Sequence, residues 1–287
     1  MIRSTPWTVT RIASTASARL RRTSLAVLLL AGLAGPNVLR AQEEKLPKGE
    51  AILDKYVEVT GGKAAYDQLS NRVVKGTFAV PAQGLELSLA IYEAKPDKSY
   101  TMLESDAIGK IEKGTNDGVA WELQAMTGPR LLEGDEKAVA LRGATFDAAQ
   151  NWRKLYKKVE CVGVEIVDGK PCYKVVLTAK AGPQETRYYD KQSGLVVKTA
   201  MDMPSPMGTI PIESYASDYK SVDGILMAHK VRVLAMGMER LMTFTSIEHN
   251  VKLPEDRFKL PEEIQALVDA AKEKPATGAE SSKPKKP

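Results

Sequence analysis

The chain has 287 residues, with 41 Lys and Arg against 36 Asp and Glu, and its formal net charge is +5. Six arginines fall within residues 1–41, a stretch without any acidic residue, which leaves 35 basic against 36 acidic residues in the remainder. That near-neutral body has no basic groove with interleaved aromatic residues, so its composition is not that of a nucleic-acid-binding protein.

The first segment of the chain is typical of an export signal. Its arginines precede an apolar run at Leu25–Ala34, which is too short to form a permanent membrane span. We predict a signal peptide over residues 1–41 with cleavage after Ala41; an uncleaved amphipathic anchor is the alternative. No cysteine lies near the predicted cleavage point, so the mature chain should carry no N-terminal lipid and should be soluble.

The predicted mature chain is one domain followed by a tail. Residues 42–271 are enough for one substantial core, whereas residues 272–287 consist mainly of Lys, Pro, Ser, Ala and Gly and offer almost nothing to bury. We therefore predict a single folded domain over 42–271 and a disordered tail over 272–287.

The elements of this domain begin with helices and continue as hairpins. Helical spacing predicts a helix over Gly49–Val59 and a short second one over Ala64–Leu69. From Val73 the apolar residues alternate, most clearly at Leu85–Ile91, and Asp-Gly pairs mark three of the turns between the apolar runs. Only one later stretch, Glu133–Trp152, favours a helix. The pattern predicts an α+β fold: one large antiparallel sheet, with helices on one side.

Two cysteines occur in an exported chain, where a disulfide is the usual expectation. Matching the apolar faces of the hairpin around Asp168–Gly169 sets Cys161 opposite Val176 and Cys172 opposite Glu165. The two thiols are then about four residues, roughly 13 Å, apart along the strands. A disulfide requires much closer Cα atoms, so we predict two free thiols.

Catalytic and metal-binding motifs are missing from the sequence. The only histidines, His229 and His249, stand in no metal-binding spacing, and no G-x-S-x-G, P-loop or G-x-G-x-x-G motif occurs. His229 shares its strand face with apolar residues, which favours a buried, hydrogen-bonded side chain. We predict a non-catalytic protein that needs no cofactor.

Methionines are concentrated in two places. Met201, Met203 and Met207 lie in a predicted loop, and a second cluster follows at residues 236–242. Thioethers make adaptable contacts with irregular apolar ligands, and they also bind Cu(I). A partly covered apolar loop, a ligand contact and a copper site are the three interpretations of this pattern.

Several short motifs, in order, resemble those of a known family. Residues 93–98 (EAKPDK) are similar to a basic-residue-proline segment after an early strand, and residues 116–121 (NDGVAW) to a D-G turn followed by an aromatic residue. Residues 217–224 (SDYKSVDG) are similar to a late Y-x-x-V-D-G hairpin, and residues 258–261 (FKLP) to a closing F-x-x-P. Over roughly Ile52 to Pro261 the chain resembles the LolA/LolB-like periplasmic lipoprotein carriers and the broader outer-membrane lipoprotein-sorting proteins.

The resemblance implies an incomplete antiparallel β-barrel with helices over its concave face, located in the periplasm. It implies a cavity for lipid or lipoprotein acyl chains, a monomer, and transient contact with the membrane or with envelope proteins. It also marks one departure, because Lys95 stands where the family's carriers use an arginine to hold a helical lid, and lysine lacks the planar fork of a guanidinium. The predicted ligand-contacting residues are Val74, Phe78, Leu87, Leu89, Ile91, Lys95, Met102, Trp121, Met201, Met203 and Met207.

A different class of function fits the same strand pattern. If the helices fill the concave side completely, the protein is an envelope interaction module without a ligand cavity. The two hypotheses differ in whether apolar side chains on the helix-covered side of the sheet remain accessible.

Overall fold

The structure, a computed structural model, describes residues 45–273. The predicted signal peptide lies outside the described residues, as does the predicted tail except for Lys272 and Glu273. These two residues belong to a helix, so regular structure continues slightly beyond the predicted domain boundary.

Five α-helices and thirteen strands make up the described part of the chain. The helices are α1 (Gly49–Val59), α2 (Gly62–Asp67), α3 (Gly134–Ala144), α4 (Trp152–Leu155) and α5 (Glu262–Glu273). The first six strands are β1 (Asn71–Val80), β2 (Leu85–Ala94), β3 (Lys98–Ser105), β4 (Gly109–Asn116), β5 (Val119–Gln124) and β6 (Gly128–Leu131). The others are β7 (Tyr156–Val167), β8 (Lys170–Ala179), β9 (Glu185–Asp190), β10 (Val196–Ser205), β11 (Gly208–Val222), β12 (Ile225–Ala235) and β13 (Met238–His249).

All strands belong to one antiparallel sheet with the order β6-β5-β4-β3-β2-β1-β13-β12-β11-β10-β9-β8-β7. Strands that follow each other in sequence pair, except β6 and β7, and β1 and β13 join the two halves at the centre. Within residues 45–273 the edge strands β6 and β7 do not pair with each other, so the sheet is open. The prediction of one large antiparallel sheet that forms an incomplete barrel is confirmed.

The helices α1 to α4 all pack on one side of this sheet, which we call the inner face. On that face α1 and α4 cover β7–β9, α2 packs near the start of β12, and α3 contacts β4, β5 and β10. Gly49 lets α1 approach the sheet closely, because a Cβ there would lie 2.8 Å from the carbonyl oxygen of Val159. The opposite side is the outer face, where Arg257 stacks over Tyr92 and Tyr100. Helix α5 packs against the edge strand β6.

The predicted helix over Glu133–Trp152 is wrong in its extent. It is divided into α3 and α4 because Asp147 adopts a left-handed backbone with φ 55°. Just before it, the amide of Phe146 donates to the carbonyl of Pro96 instead of continuing the helix. The predicted bounds of α1 are confirmed.

The cysteine hairpin has the predicted turn but not the full predicted register. Glu165 lies opposite Cys172, but a bulge between Cys161 and Gly163 moves Cys161 opposite Val175 instead of Val176. Cys161 therefore points to the inner face and Cys172 to the outer face. Both are free thiols in the described part of the chain.

Candidate functional site

Seven of the predicted ligand-contacting residues lie on the inner face of the sheet, on strands β1, β2 and β10. Cross-strand pairing of β1 with β2 places Val74 opposite Ile91 and Phe78 opposite Leu87, and directly paired residues point to the same side. Leu89, Met201 and Met203 follow by strand alternation and by pairing through β13, β12 and β11. The sequence therefore predicted a set that the fold brings to one face although it comes from distant parts of the chain.

Three other predicted residues do not reach that face. Met102 pairs with Ala90, and Trp121 pairs with Gly114, which puts both on the outer face. Trp121 packs flat against the backbone of Gly114, where a Cβ would come within 2.6 Å of the indole ring. Met207 lies in the two-residue turn between β10 and β11 and is exposed.

The predicted methionine loop is in fact a hairpin. Met201 and Met203 are strand residues of β10 that pair with Ile212 and Ile210. Their alternation with polar Asp202 is a strand signal, but the prolines of the following segment obscured it in the sequence.

The structure adds inner-face residues that were not in the predicted set. Val231 and Met242 pair with each other beside Phe78, and Phe244 pairs with Gly76 of β1. Period-two alternation in β12 and β13 carries the signal for these side chains. It gives no information on which of the two alternating sets faces the helices, and this is why the set was missed.

The apolar side chains of this central inner face differ in burial. Val74, Leu87 and Leu89 are buried, whereas the larger group of neighbouring side chains is only half-buried. The half-buried group consists of Phe78, Ile91, Met201, Met203, Ile212, Val231, Met242 and Phe244. The helices therefore leave part of an apolar surface uncovered on their own side of the sheet. We call this group the central strip.

Lys95, which directly follows β2, contacts α2 and the segment between α3 and α4. Its ammonium lies 3.4 Å from the carbonyl oxygens of both Tyr66 and Asp67, at the end of α2, and 3.1 Å from the carboxylate of Asp147. A cation at a helix C-terminus is favourably placed. Lys95 thus contacts two helix carbonyls although it lacks the planar guanidinium group of arginine, and the carboxylate of Asp147 supplies a third contact. Burial raises the pKa of Asp147, and the ion pair with Lys95 opposes this rise only in part.

A small cavity of about 250 Å³ lies beside this contact. Its walls combine the tyrosines Tyr56, Tyr66 and Tyr219 with Arg72 and Glu93, which form an ion pair across β1 and β2. The inner face is therefore apolar along the central strip and polar where α2 covers it.

A second polar group connects α3 with β9. The hydroxyl of Tyr156 donates to Glu185 at 2.6 Å, Arg187 pairs with the same carboxylate at 2.5 Å, and Arg142 of α3 lies 3.9 Å from it. Arg142 also donates to the carbonyl of Ala181 at 2.8 Å. Burial raises the pKa of Glu185, but Arg187, Tyr156 and Arg142 outweigh burial and hold it below its ordinary value. These contacts fix α3 across the inner face.

His229 is hydrogen-bonded as predicted but is less buried than predicted. That ring is half-buried, with Nδ1 3.0 Å from the carbonyl oxygen of Met227. His249 lies against Asp223, with 3.0 Å between Nδ1 and the carboxylate. Within residues 45–273 no three His, Cys, Asp or Glu side chains converge as metal ligands. In the same range no helix is both long and apolar enough to cross a membrane.

Comparison with known proteins gives structural but not sequence matches. No family model matches the chain, and no curated protein does. Among solved structures, a DUF1329 family protein from Desulfovibrio piger has a TM-score of 0.54 at 15% identity, covering 75% of this chain and 98% of its own. A LolA superfamily protein from Nitrosomonas europaea has a TM-score of 0.51 at 14% identity, covering 75% and 99%. A putative outer membrane lipoprotein-sorting protein domain from Vibrio parahaemolyticus has a TM-score of 0.51 at 12% identity, covering 72% and 97%. At these identities the similarity is one of fold.

Proposed function

We propose that this protein is an exported periplasmic carrier or binder of a hydrophobic ligand, with lipoprotein acyl chains or lipid as its cargo. The central strip carries the proposal, because its apolar side chains face the helices and yet are only half-buried. In a protein whose helices fill the inner side, such residues would be buried. The names of two structural neighbours, which refer to lipoprotein sorting and to the LolA superfamily, support the same class of cargo.

The energetics of lipid transfer fit this surface. Each methylene exposed to water costs about 0.8 kcal/mol, so an acyl chain cannot cross an aqueous compartment efficiently without cover. Phe78, Met242 and Val231 are adjacent across β1, β13 and β12 and offer continuous apolar contact. Methionine side chains adapt to irregular ligands, which suits a cargo with several chain conformations.

In this proposal the helices on the inner face form an adjustable cover over the ligand. The contacts of Lys95 with α2 and with Asp147 hold this cover at the end of β2. The edge strands β6 and β7 are unpaired with each other in the described part, so the sheet is free to widen without breaking ladder hydrogen bonds. The ligand would lie between the strip and α3, and no chemical step is required of the protein.

The test is a titration of the mature chain with a fluorescent fatty acid. Phe78→Gln should weaken probe binding at least about tenfold, because an amide placed against acyl carbon loses its hydrogen bonds with water. Met102→Gln is the matched control, since Met102 is equally half-buried but lies on the outer face. It should bind the probe like the wild type.

The choice of Phe78 matters for this test. Leu89 is only 4% exposed, so a polar residue there would disturb packing whether or not the face binds a ligand. If the wild type takes up no probe, or if folded Phe78→Gln binds it undiminished, the carrier proposal fails.

A second function is favoured by a different observation. Val162, Val164 and Ile166 are exposed apolar residues on the edge strand β7, which pairs with β8 on one side and with no strand of the described residues on the other. An exposed apolar edge is a site for pairing with another strand, as an envelope interaction module would require. If β7 is an interaction edge, Ile166→Lys should abolish association with the partner strand and leave binding of the fluorescent fatty acid unchanged. If the protein is only a carrier, no such association exists for the substitution to abolish.

A further inference from the structure

The two ends of the sheet have opposite polarity. Because the strands run as successive hairpins, their connections alternate between the two ends. Connections 94–98, 116–119, 167–170, 190–196 and 222–225 meet at one end, which we call the charged rim. Connections 80–85, 105–109, 124–128, 179–185, 205–208 and 235–238 meet at the other end.

All five turns of the charged rim contain a charged residue between their strands: Asp97, Asp117, Asp168, Lys191 and Asp223. At the other end, four of the six connections contain none, namely residues 81–84, 125–127, 206–207 and 236–237. We call these four turns the uncharged rim. Asp106 and Lys180 lie in the two remaining connections at that end. Hairpin turns are normally polar, so four uncharged turns at one end need a reason.

Three of the four turns of the uncharged rim also expose a methionine. Met126 is 89% exposed, Met207 is 88% exposed and Met236 is 63% exposed. These are three of the eight large apolar side chains that are exposed in the described part, and no turn of the charged rim has one. The concentration of exposed methionines in the turns of one end, with none in the turns of the other, points to a contact surface at that end.

Met236 stands at a position that normally selects other residues. Its φ is 53° and Gly237 follows with φ 72°. The turns of the same kind at the charged rim use Asp-Gly, as at Asp168 and Asp223. All other non-glycine residues with positive φ in the described part are Asp or Asn. A methionine here has an unfavourable backbone and no buried contact in return.

We infer that the uncharged rim docks on the surface of a lipid bilayer, with Met126, Met207 and Met236 inserted among the lipids. The inference goes beyond the proposed function, because it concerns where the protein binds rather than what it carries. No charged group in the four turns would have to be desolvated, and flexible thioether side chains partition readily into the interfacial region.

The spacing of the methionines favours a bilayer over a protein partner. From the turn after β5 to the turn after β10 there are eight strand spacings, roughly 38 Å measured along the sheet. The turns of Met236 and Met207 are neighbours at this end, but the turns after β1 and β3 separate them from Met126, so the three methionines do not form one contiguous apolar patch. An extended, uniform surface contacts such separated points at once. With no basic residues in the four turns, we expect binding that depends little on anionic lipid or on salt.

The experiment is sedimentation of the mature chain with vesicles of phosphatidylcholine at low and high salt. The variant carrying Met126→Ser, Met207→Ser and Met236→Ser should lose at least about tenfold in partitioning, since three exposed apolar side chains become polar. The matched control carries Val162→Ser, Val164→Ser and Ile166→Ser. It removes a similar amount of exposed apolar surface from the edge strand β7 and should partition like the wild type.

Three results would overturn the inference. They are no binding of the wild type to these vesicles, equal binding by the methionine variant, or an equal loss in the β7 control. The substituted side chains are exposed, so folding should be retained, and circular dichroism checks it. Titration with the fluorescent fatty acid in the absence of vesicles separates this inference from the proposed function. The methionine variant should keep its probe binding, whereas Phe78→Gln should lose it.

Discussion

The inner face of the sheet is closed over β7–β9 and open over β1, β13 and β12. Over β7–β9, Val175 and Leu177 are fully buried beneath Ile52 and Leu53 of α1. In the central strip the equivalent strand positions are only half-buried. The same alternation of apolar side chains therefore produces a packed core in one half of the face and an accessible surface in the other.

The position of the helices accounts for this difference. α1 lies directly on β7, and α4 adds Trp152 to the same cluster. α3, in contrast, contacts β4 and β5 on one side and β10 on the other, so it reaches across the centre of the sheet. A helix that is supported at its two sides leaves the strands between them less completely covered, which is where the proposed ligand would lie.

The largest effect should come from a cavity made in the closed region. Leu177→Ala should lower the free energy of unfolding by about 2–5 kcal/mol, because its buried neighbours cannot collapse into the space. Met242→Ala in the central strip should cost less than half as much, since fewer packing contacts are lost there. Urea denaturation of both variants measures the difference. Equal losses would mean that the central strip is packed as tightly as the core.

A smaller effect is expected from the polar group that holds α3. Glu185→Gln should lower the free energy of unfolding by roughly 2 kcal/mol at neutral pH, because Arg187 and Arg142 lose a buried, charged partner. The folded-state pKa of Glu185 lies below its ordinary value of 4.5. Its contribution is therefore present above about pH 4.5 and is lost as the pH falls through the folded-state pKa.

The pH dependence provides the control for that variant. The difference between the thermal melts of the wild type and Glu185→Gln should shrink as the pH is lowered from 7 to 3, because the wild-type carboxylate becomes increasingly protonated. A constant difference over the whole range would assign the effect to packing rather than to charge.

The smallest effect, and the most direct comparison of the two regions, comes from an isosteric pair. Val175→Thr places a hydroxyl in the closed core and should cost about 1 kcal/mol. Val231→Thr makes the same change in the central strip and should hardly alter stability, because solvent or the ligand space is accessible to the hydroxyl. It should instead weaken probe binding. The comparison fails if both variants lose the same stability and both retain the probe.

Much of the fold could be predicted because the information is local. Alternation over Leu85–Ile91, the Asp-Gly turns and the helical spacing of Gly49–Val59 each depend on a few neighbouring residues, and consecutive hairpins allow few topologies. The predictions that were wrong depend on backbone details. Asp147 interrupts a helix that its neighbours favour, and a bulge near Val162 shifts Cys161 by one position. Neither has a clear signal in the sequence, because one residue's conformation decides it.

The sequence by itself determined that this is an antiparallel sheet of hairpins with two faces, because side-chain alternation is a property of each strand alone. Only the tertiary structure decided which face the helices cover. Met102 and Trp121 looked as suitable for a ligand site as Phe78, but pairing through Ala90 and Gly114 turns them to the outer face. The tertiary structure likewise brought Met126, Met207 and Met236 to one rim, because the end of a sheet at which a turn emerges depends on the direction of every strand before it.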